Sequence, residues 1–311
     1  TEPPLMDIED EEDRGLVIAR IGVPAWRLPS WHVQSLELLL LLNMTGSEYV
    51  VEHEPYGYSS STGSLPSCEP RDGTILSSAQ SIRYFADLLD QKVQQNDAVA
   101  YRVLCQDRLL PFCDRCLFQC DENFHRLAFA LFRSVPFPVN NILPRRFRKA
   151  SMARDVASGI TSDAEFLERC RQVLDACCAK LESSGGPFIL GSSPVSCDAS
   201  LVAFIMFANH CPITTPDLPS MIPSSLQNYA QQVLEKYPRL KVEQDEPEKY
   251  SNYAQFTSRT RDIPIETPTP KPAPPPLTEE ELAHQRSNRI ALGVAAASFV
   301  GFVLFGGLFR K

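Results

Sequence analysis

Apolar and polar positions along the chain alternate in three different ways, and each predicts a different kind of structure. From residue 15 to residue 92 the apolar runs are short and bounded by turn residues. Gly15–Arg20 (GLVIAR) reads as a first strand and Tyr49–His53 (YVVEH) as a second. Between them, Trp31–Met44 follows Leu28-Pro29-Ser30. Its Leu36–Leu42 stretch is strongly apolar, contains Glu37 and has only the length of a core helix, which Gly46 closes. Ser64–Glu69 and Thr74–Leu76 flank Asp72-Gly73, a strong hairpin signal. Ser77–Leu89 then starts at a serine and keeps a helical period. The order strand, helix, strand, loop, strand-turn-strand, helix predicts a thioredoxin-like unit over residues 15–92.

Residues 93–243 carry helical periodicity only. Helices are predicted around Ala98–Leu110, Cys113–Ser134, Asp163–Ser183, Cys197–His210 and Leu226–Lys236. Ser162-Asp163-Ala164-Glu165 has the residues of a capping box, in which hydroxyl and carboxylate each serve a backbone N–H. The fold class is therefore α+β, a thioredoxin-like N-terminal unit before an all-helical one.

The third pattern lies at the C-terminus. Residues 244–277 are first charged and then proline-rich: eight of the 26 prolines fall between Pro247 and Pro276, the composition of an extended linker. Ile290–Phe309 is twenty residues without a charge. At a rise of 1.5 Å per residue, such a helix spans roughly 30 Å, the thickness of a bilayer core. Arg286 and Arg289 precede it, and Arg310 and Lys311 follow. Thr278-Glu279-Glu280-Glu281 can cap a juxtamembrane helix, so residues 278–311 read as that helix and a C-terminal tail anchor. A short span softened by Ala and Gly suits the mitochondrial outer membrane, with the endoplasmic reticulum as the rival. Gly293, Ala297 and Gly301 recur every four residues, a strip against which a second membrane helix can pack, or simply the Gly and Ala common in such spans.

Charge sharpens this picture. The net charge is −8, but residues 1–13 hold seven acids and no base, so the other 298 residues carry about −1. Residues 1–14 are read as an acidic tail that either solubilises the chain or attracts a basic partner. An acidic start is unlike a signal or transit peptide. A nearly neutral body argues against nucleic acid as a partner. Arg145, Arg146, Arg148, Lys149 and Arg154 form the one dense basic cluster, interleaved with Phe147 and Met152. It suits anionic headgroups or an acidic partner, or it is a solvated helix start. Ten cysteines are too few for a disulfide scaffold. Cys113, Cys116 and Cys120, with Cys105 and His125 nearby, have a spacing seen in metal sites, and Cys177-Cys178 is a weaker cluster. Offsets of three and four put the first three on one helix face, which predicts packing and no metal. No HExxH, P-loop or GxGxxG occurs, and no cofactor is expected.

A small α/β unit followed by helices is the glutathione-transferase plan, and two passages carry a narrower resemblance. One is Leu28-Pro29-Ser30 with Ser64-Leu65-Pro66. The other is Pro136-Phe137-Pro138-Val139-Asn140-Asn141-Ile142-Leu143-Pro144-Arg145-Arg146-Phe147, which resembles the PFP-N-x-x-LP segment of metaxins. Leu109-Leu110-Pro111, Gly191-Ser192-Ser193-Pro194 and Ser196-Cys197-Asp198-Ala199 also resemble the metaxin helical domain. Over roughly residues 15–240 and the anchor, the chain is similar to the metaxin family. The resemblance implies a cis peptide at Pro66 and a helix cap at Asp198. It also implies a subunit of the sorting and assembly machinery of the mitochondrial outer membrane, with its soluble part facing the cytosol. Its partners would be the β-barrel insertase, a second metaxin-like subunit, the lipid bilayer and β-barrel precursors.

Three positions depart from the family pattern or bear on its chemistry. The acidic-Ser pair that holds glutathione in transferases is Ser77-Ser78 here, without the acid. Ser30 stands near the thiol-activating slot, between Pro29 and Trp31. The helix-capping serine position before Asp198 is Val195, with Ser196 nearer. The expectation is a binding protein, not an enzyme. A membrane-tethered glutathione transferase or peroxidase using Ser30, and a scaffold subunit of another mitochondrial membrane complex, are the other readings. Alkaline carbonate extraction of organelle membranes tests the anchor. The chain is expected in the pellet, and its release into the supernatant would overturn the reading of residues 278–311.

Overall fold

The computed structural model describes residues 16–54, 63–70, 73–91, 96–133, 135, 137–160 and 162–238. The acidic tail, the proline-rich stretch and the apolar C-terminal segment lie outside them, as do Gly293, Ala297 and Gly301. Among the described residues no helix is long and apolar enough to cross a membrane.

Three strands form the sheet in the order β2-β1-β3. Strand β1 (Val17–Gly22) takes the centre because Val17, Ala19 and Ile21 are buried. Strand β2 (Tyr49–Glu54) pairs with it in parallel, Val17 opposite Tyr49 and Gly22 opposite Glu54. Strand β3 (Ser67–Glu69) pairs with it antiparallel, Ala19 opposite Cys68. A parallel pair needs a crossover, and helix α1 (Val33–Thr45) supplies it. On the more open face Arg20 reaches Glu52 on β2 at 2.9 Å and Glu69 on β3 at 3.1 Å. The first strand starts two residues later than its pattern suggested. The stretch around Thr74–Leu76 is not a strand: Leu76 makes one bridge to Cys68, with N···O distances of 2.8 and 3.2 Å. Helix α2 (Ser78–Gln91) follows.

Helix α1 is buried on every side from Leu36 to Leu42 because α2 and α8 (Ser196–His210) pack against it. It ends at Gly46, whose φ of 74° is a left-handed cap that a β-carbon would strain. Helix α3 (Asn96–Phe118) departs from expectation. Its sequence suggests a stop at Pro111, since a mid-helix proline loses a backbone bond and costs about 3 kcal/mol. The helix runs through it, offset by the burial of Leu109, Leu110, Phe112 and Cys113 where α3 packs on α7 (Asp163–Ser184) and α8. The break comes instead after Phe118. Buried Asn123 donates to the carbonyls of Cys116 and Thr215, both at 2.9 Å, and so ties the end of α3 to a distant loop. The single helix expected over Cys113–Ser134 is therefore α3's end, a short α4 (Asp121–Asn123), a π-helical segment (Phe124–Ala128) and a short α5 (Phe129–Leu131).

Helix α6 (Val139–Ala157) is absent from the helices predicted above, where the sequence offers only the alternative of a solvated helix start at the basic cluster. Helix α7 (Asp163–Ser184) begins where its capping signal stands: the Ser162 hydroxyl accepts the Glu165 N–H at 3.2 Å. Helix α8 (Ser196–His210) is buried throughout from Ser196 to Ala208. Short α9 (Leu218–Met221) and α10 (Ser224–Lys236) pack against it.

A helix buried all round must satisfy its N-terminal N–H groups inside the protein. Asp198 and Asp90 do this. The Asp198 carboxylate accepts the N–H of Val195 at 2.7 Å and of Ile189 at 3.0 Å, and also the Tyr229 hydroxyl. This is half a capping box, because Val195 has no side-chain acceptor. Asp90 takes the Ser196 N–H at 2.8 Å and its hydroxyl at 2.6 Å, while Arg102 stands 3.5 Å away. One turn along, the Glu37 carboxylate on α1 accepts from Gln106 on α3 at 2.7 Å and from Ser200 on α8. Its second oxygen is buried without a partner.

Burial pushes the Asp198 carboxyl up to about 6, against the lowering effect of its hydrogen bonds to Tyr229, Val195 and Ile189. Burial likewise raises Glu37. In both cases the folded chain keeps a proton to higher pH than the unfolded chain. Raising pH through that window therefore favours unfolding. The contribution of Asp198 is complete below about pH 4 and fades toward about pH 6. For Glu37→Gln, which stays neutral, the melting temperature relative to the parent chain is expected to rise between pH 4 and pH 7. A difference that is flat with pH would refute the buried carboxyl's role. Asp198→Ala leaves two N–H groups and a hydroxyl without an acceptor and should cost about 3 kcal/mol in denaturant unfolding.

Candidate functional site

The site is built where β1 meets the start of α1. Gly22 ends the strand under close contact: a β-carbon there would lie 2.9 Å from Ser30 Oγ and 3.1 Å from Trp31 Nε1. The connecting loop turns tightly at Ala25–Leu28, with Trp26 and Arg27 in left-handed conformations at φ of 54° and 64°. Trp26 lies edge-on to Phe207 of α8 at 6.2 Å, which holds this turn against the core. Ser30 is then fully buried, and its hydroxyl accepts the His32 N–H at 3.2 Å.

Trp31 turns inward. It is 2% exposed and lies edge-on to Phe132 at 5.7 Å, Phe147 at 5.8 Å and Phe118 at 6.2 Å. Phe147, from α6, stacks on Phe118 at 5.3 Å and on Phe132 at 5.4 Å. Helix α6 thus closes over the start of α1. Between them and the Gly63–Leu65 loop lies a cleft of about 230 Å³, lined also by His32, Arg146 and Ala150. Leu65–Pro66 is cis, at the cleft's edge.

Its chemistry is that of an apolar wall with one guanidinium. His32 Nδ1 is 3.2 Å from the Ser35 hydroxyl. Burial lowers the imidazole's pKa, with Asp114 opposing and Arg154 reinforcing, so the ring is neutral at pH 7. The two serines that precede α2 are engaged locally. Ser77 donates its N–H and hydroxyl to Gln80 Oε1 at 3.0 and 2.8 Å. Ser78 donates its N–H to Ser64 Oγ at 3.5 Å and its hydroxyl to Gln34 at 3.4 Å. Ser30 does not line the cleft.

The basic cluster divides. Arg146 faces the cleft. Arg148 is held by Asp121 at 2.7 Å and lies over the Phe124 ring at 4.8 Å. Arg154 pairs with Asp114 at 2.8 Å. Arg145 donates to the Asn141 carbonyl at 3.4 Å and lies over Phe129 at 5.8 Å, while Lys149 is exposed. Asp198 sits in the core at the start of α8, remote from the cleft lining.

Eight of the ten cysteines are buried, and Cys120 and Cys178 are half-buried. Cys105 and Cys177 have sulfurs 4.0 Å apart. Burial raises the thiols of Cys113 and Cys116 and pushes Cys170 up to about 12, so they stay protonated. The expectation that Cys113, Cys116 and Cys120 share one helix face is incorrect: α3 ends at Phe118, and Cys120 lies in the break before α4. Among the described residues no group of three or more His, Cys, Asp or Glu is placed to hold a metal ion. The sequence reading overlooked Trp31 and Phe147 as walls of the cleft. The interleaving of Phe147 among cations was the one visible signal.

Comparison with known proteins places this chain among relatives. Residues 35–148 match a family described as Tom37, outer mitochondrial membrane transport complex protein. Metaxin-1 of Macaca fascicularis is 25% identical over 301 residues, which covers 91% of this chain and 88% of that protein. Metaxin-3 of Xenopus laevis is 24% identical over 195 residues, 58% of this chain and 62% of that one. Among solved structures, a glutathione transferase from Phanerochaete chrysosporium aligns with a TM-score of 0.47 at 13% identity, over 70% of this chain and 96% of its own. A glutathione S-transferase of Ceriporiopsis subvermispora in complex with glutathione aligns at 0.44 and 16% identity, over 75% and 100%.

Phe147→Ala removes the ring that three aromatic partners share. A loss of about 3 kcal/mol is expected, with red-shifted tryptophan emission as water reaches Trp31. Emission unchanged from the parent chain would show that α6 does not seal that ring.

Proposed function

Since the chain belongs to the metaxin family, we propose that it supports β-barrel protein import and insertion at the mitochondrial outer membrane and works by contact, not catalysis. One observation carries the second half. Where a transferase would present an activating hydroxyl, Ser30 is fully buried and engaged with the His32 backbone, and Trp31 and Phe147 fill the space beside it. The serines before α2, which lack the acid of the glutathione-holding pair, are bonded to Gln80 and Gln34 instead. A charged tripeptide entering the cleft would need another anchor for its ends.

In this reading residues 15–92 and 93–243 form a cytosol-facing head. Residues 244–277 are a spacer, and residues 278–311 anchor the chain. Within the anchor, the strip of Gly293, Ala297 and Gly301 packs against a membrane partner. The head docks on the sorting and assembly machinery, next to the β-barrel insertase and a second metaxin-like subunit, and meets β-barrel precursors there. Support comes from the family match and from the apolar C-terminal segment of the sequence.

Native purification of the full chain from solubilised mitochondria tests the partners. The outer-membrane insertase and a metaxin-like subunit are expected to co-elute, and recovery of respiratory-complex subunits alone would overturn the assignment. On a glutathione resin the chain is expected in the flow-through. Specific retention that is lost on Ser30→Ala would restore the enzymatic reading.

A further inference from the structure

Helix α6 has two faces with different chemistry. Its inner face carries Leu143, Phe147, Ser151 and Asp155, which pack toward α3 or close the cleft. With successive side chains about 100° apart, the residues on the outer face around Lys149 are Ile142, Arg145, Met152, Ala153 and Val156, with Arg146 at the edge toward the cleft. Every one of them is exposed. Ile142 is 44% exposed, Met152 51% and Val156 78%, and just ahead of the helix Phe137 is 80% exposed.

We infer that this outer face of α6 is a docking surface for an anionic lipid bilayer. Charge complementarity is the first argument. The only acid on α6 is Asp155, which is buried and paired with Arg115. Among the described residues, Asp114 on α3 and Asp121 on α4 reach α6 from packed neighbours and pair with Arg154 and Arg148. The outer face is thus cationic at its middle with no carboxylate of its own.

The apolar residues decide between occupants. An acidic peptide would answer the cations but leave Ile142, Met152, Val156 and Phe137 wet. A bilayer boundary answers both, with phosphates at the guanidinium and ammonium groups and acyl chains beneath the apolar ends. The acidic residues 1–13 of this same chain are the rival occupant that the experiment must separate. The inference rests on the membrane placement proposed above and not on the role in import.

The test uses the full chain with p-benzoylphenylalanine in place of Val156, reconstituted in vesicles of phosphatidylcholine alone or with phosphatidylserine in equal parts. Illumination is expected to give a lipid adduct in the mixed vesicles. That adduct should fall at least about tenfold in phosphatidylcholine alone and with Arg145→Glu/Lys149→Glu, because each cation near an anionic surface contributes about fivefold. Arg145→Gln/Lys149→Gln serves as the gentler variant, with circular dichroism to confirm its fold. Equal adducts in both vesicles, no lipid adduct, or crosslinks to residues 1–13 would each overturn the proposal. A chain that survives carbonate washing yet gives no lipid adduct defeats this inference alone. A chain that washes free defeats the membrane placement as well.

Discussion

The structure depends on keeping one helix dry. Helix α8 is apolar on every side, so it can exist only with α1, α3 and α10 packed around it. Burying its first turn removes water from N–H groups that have no partner within the helix. Asp198 and Asp90 supply those partners from inside. The cost of holding a carboxylate in such surroundings shows as its raised pKa, and the hydrogen bonds it accepts offset part of that cost. Asp198 and Asp90 thus act here as caps for the buried start of α8.

Glu37 extends the same polar seam across the junction between the sheet side and the helical side. Through Gln106 and Ser200 it links α1 to α3 and α8. Arg102 and Asp90 do the same for α2, α3 and α8. These directional contacts set where the start of α1 lies relative to the helices. Ser30 is buried beside them, packed against Gly22 and the tight turn at Ala25–Leu28.

Helix α6 contributes to both the cleft and an exposed basic face. Its inner aromatic residue completes the cluster around Trp31, and its outer face presents cations flanked by apolar groups. A substitution on one face need not disturb the other, because the side chains point about 180° apart across the helix.

Much was determined by the sequence alone. The strand-helix-strand order of the first part, the α7 cap at Ser162 and the nearly unbroken helicity of the second part follow from local pattern, because hydrophobic period and capping chemistry act over a few residues. Other features only tertiary structure decided. Helix α6 hides in the sequence because its buried stripe includes Ser151 and Asp155, polar groups acceptable in the interior only once Arg115 on α3 and Gln119 just after it reach them. Pro111 reads as a stop until the burial of its neighbours outweighs the lost bond, and the break after Phe118 needs Asn123 to find the Thr215 carbonyl 92 residues away. Each is a contact between segments far apart in the chain, which no local period encodes.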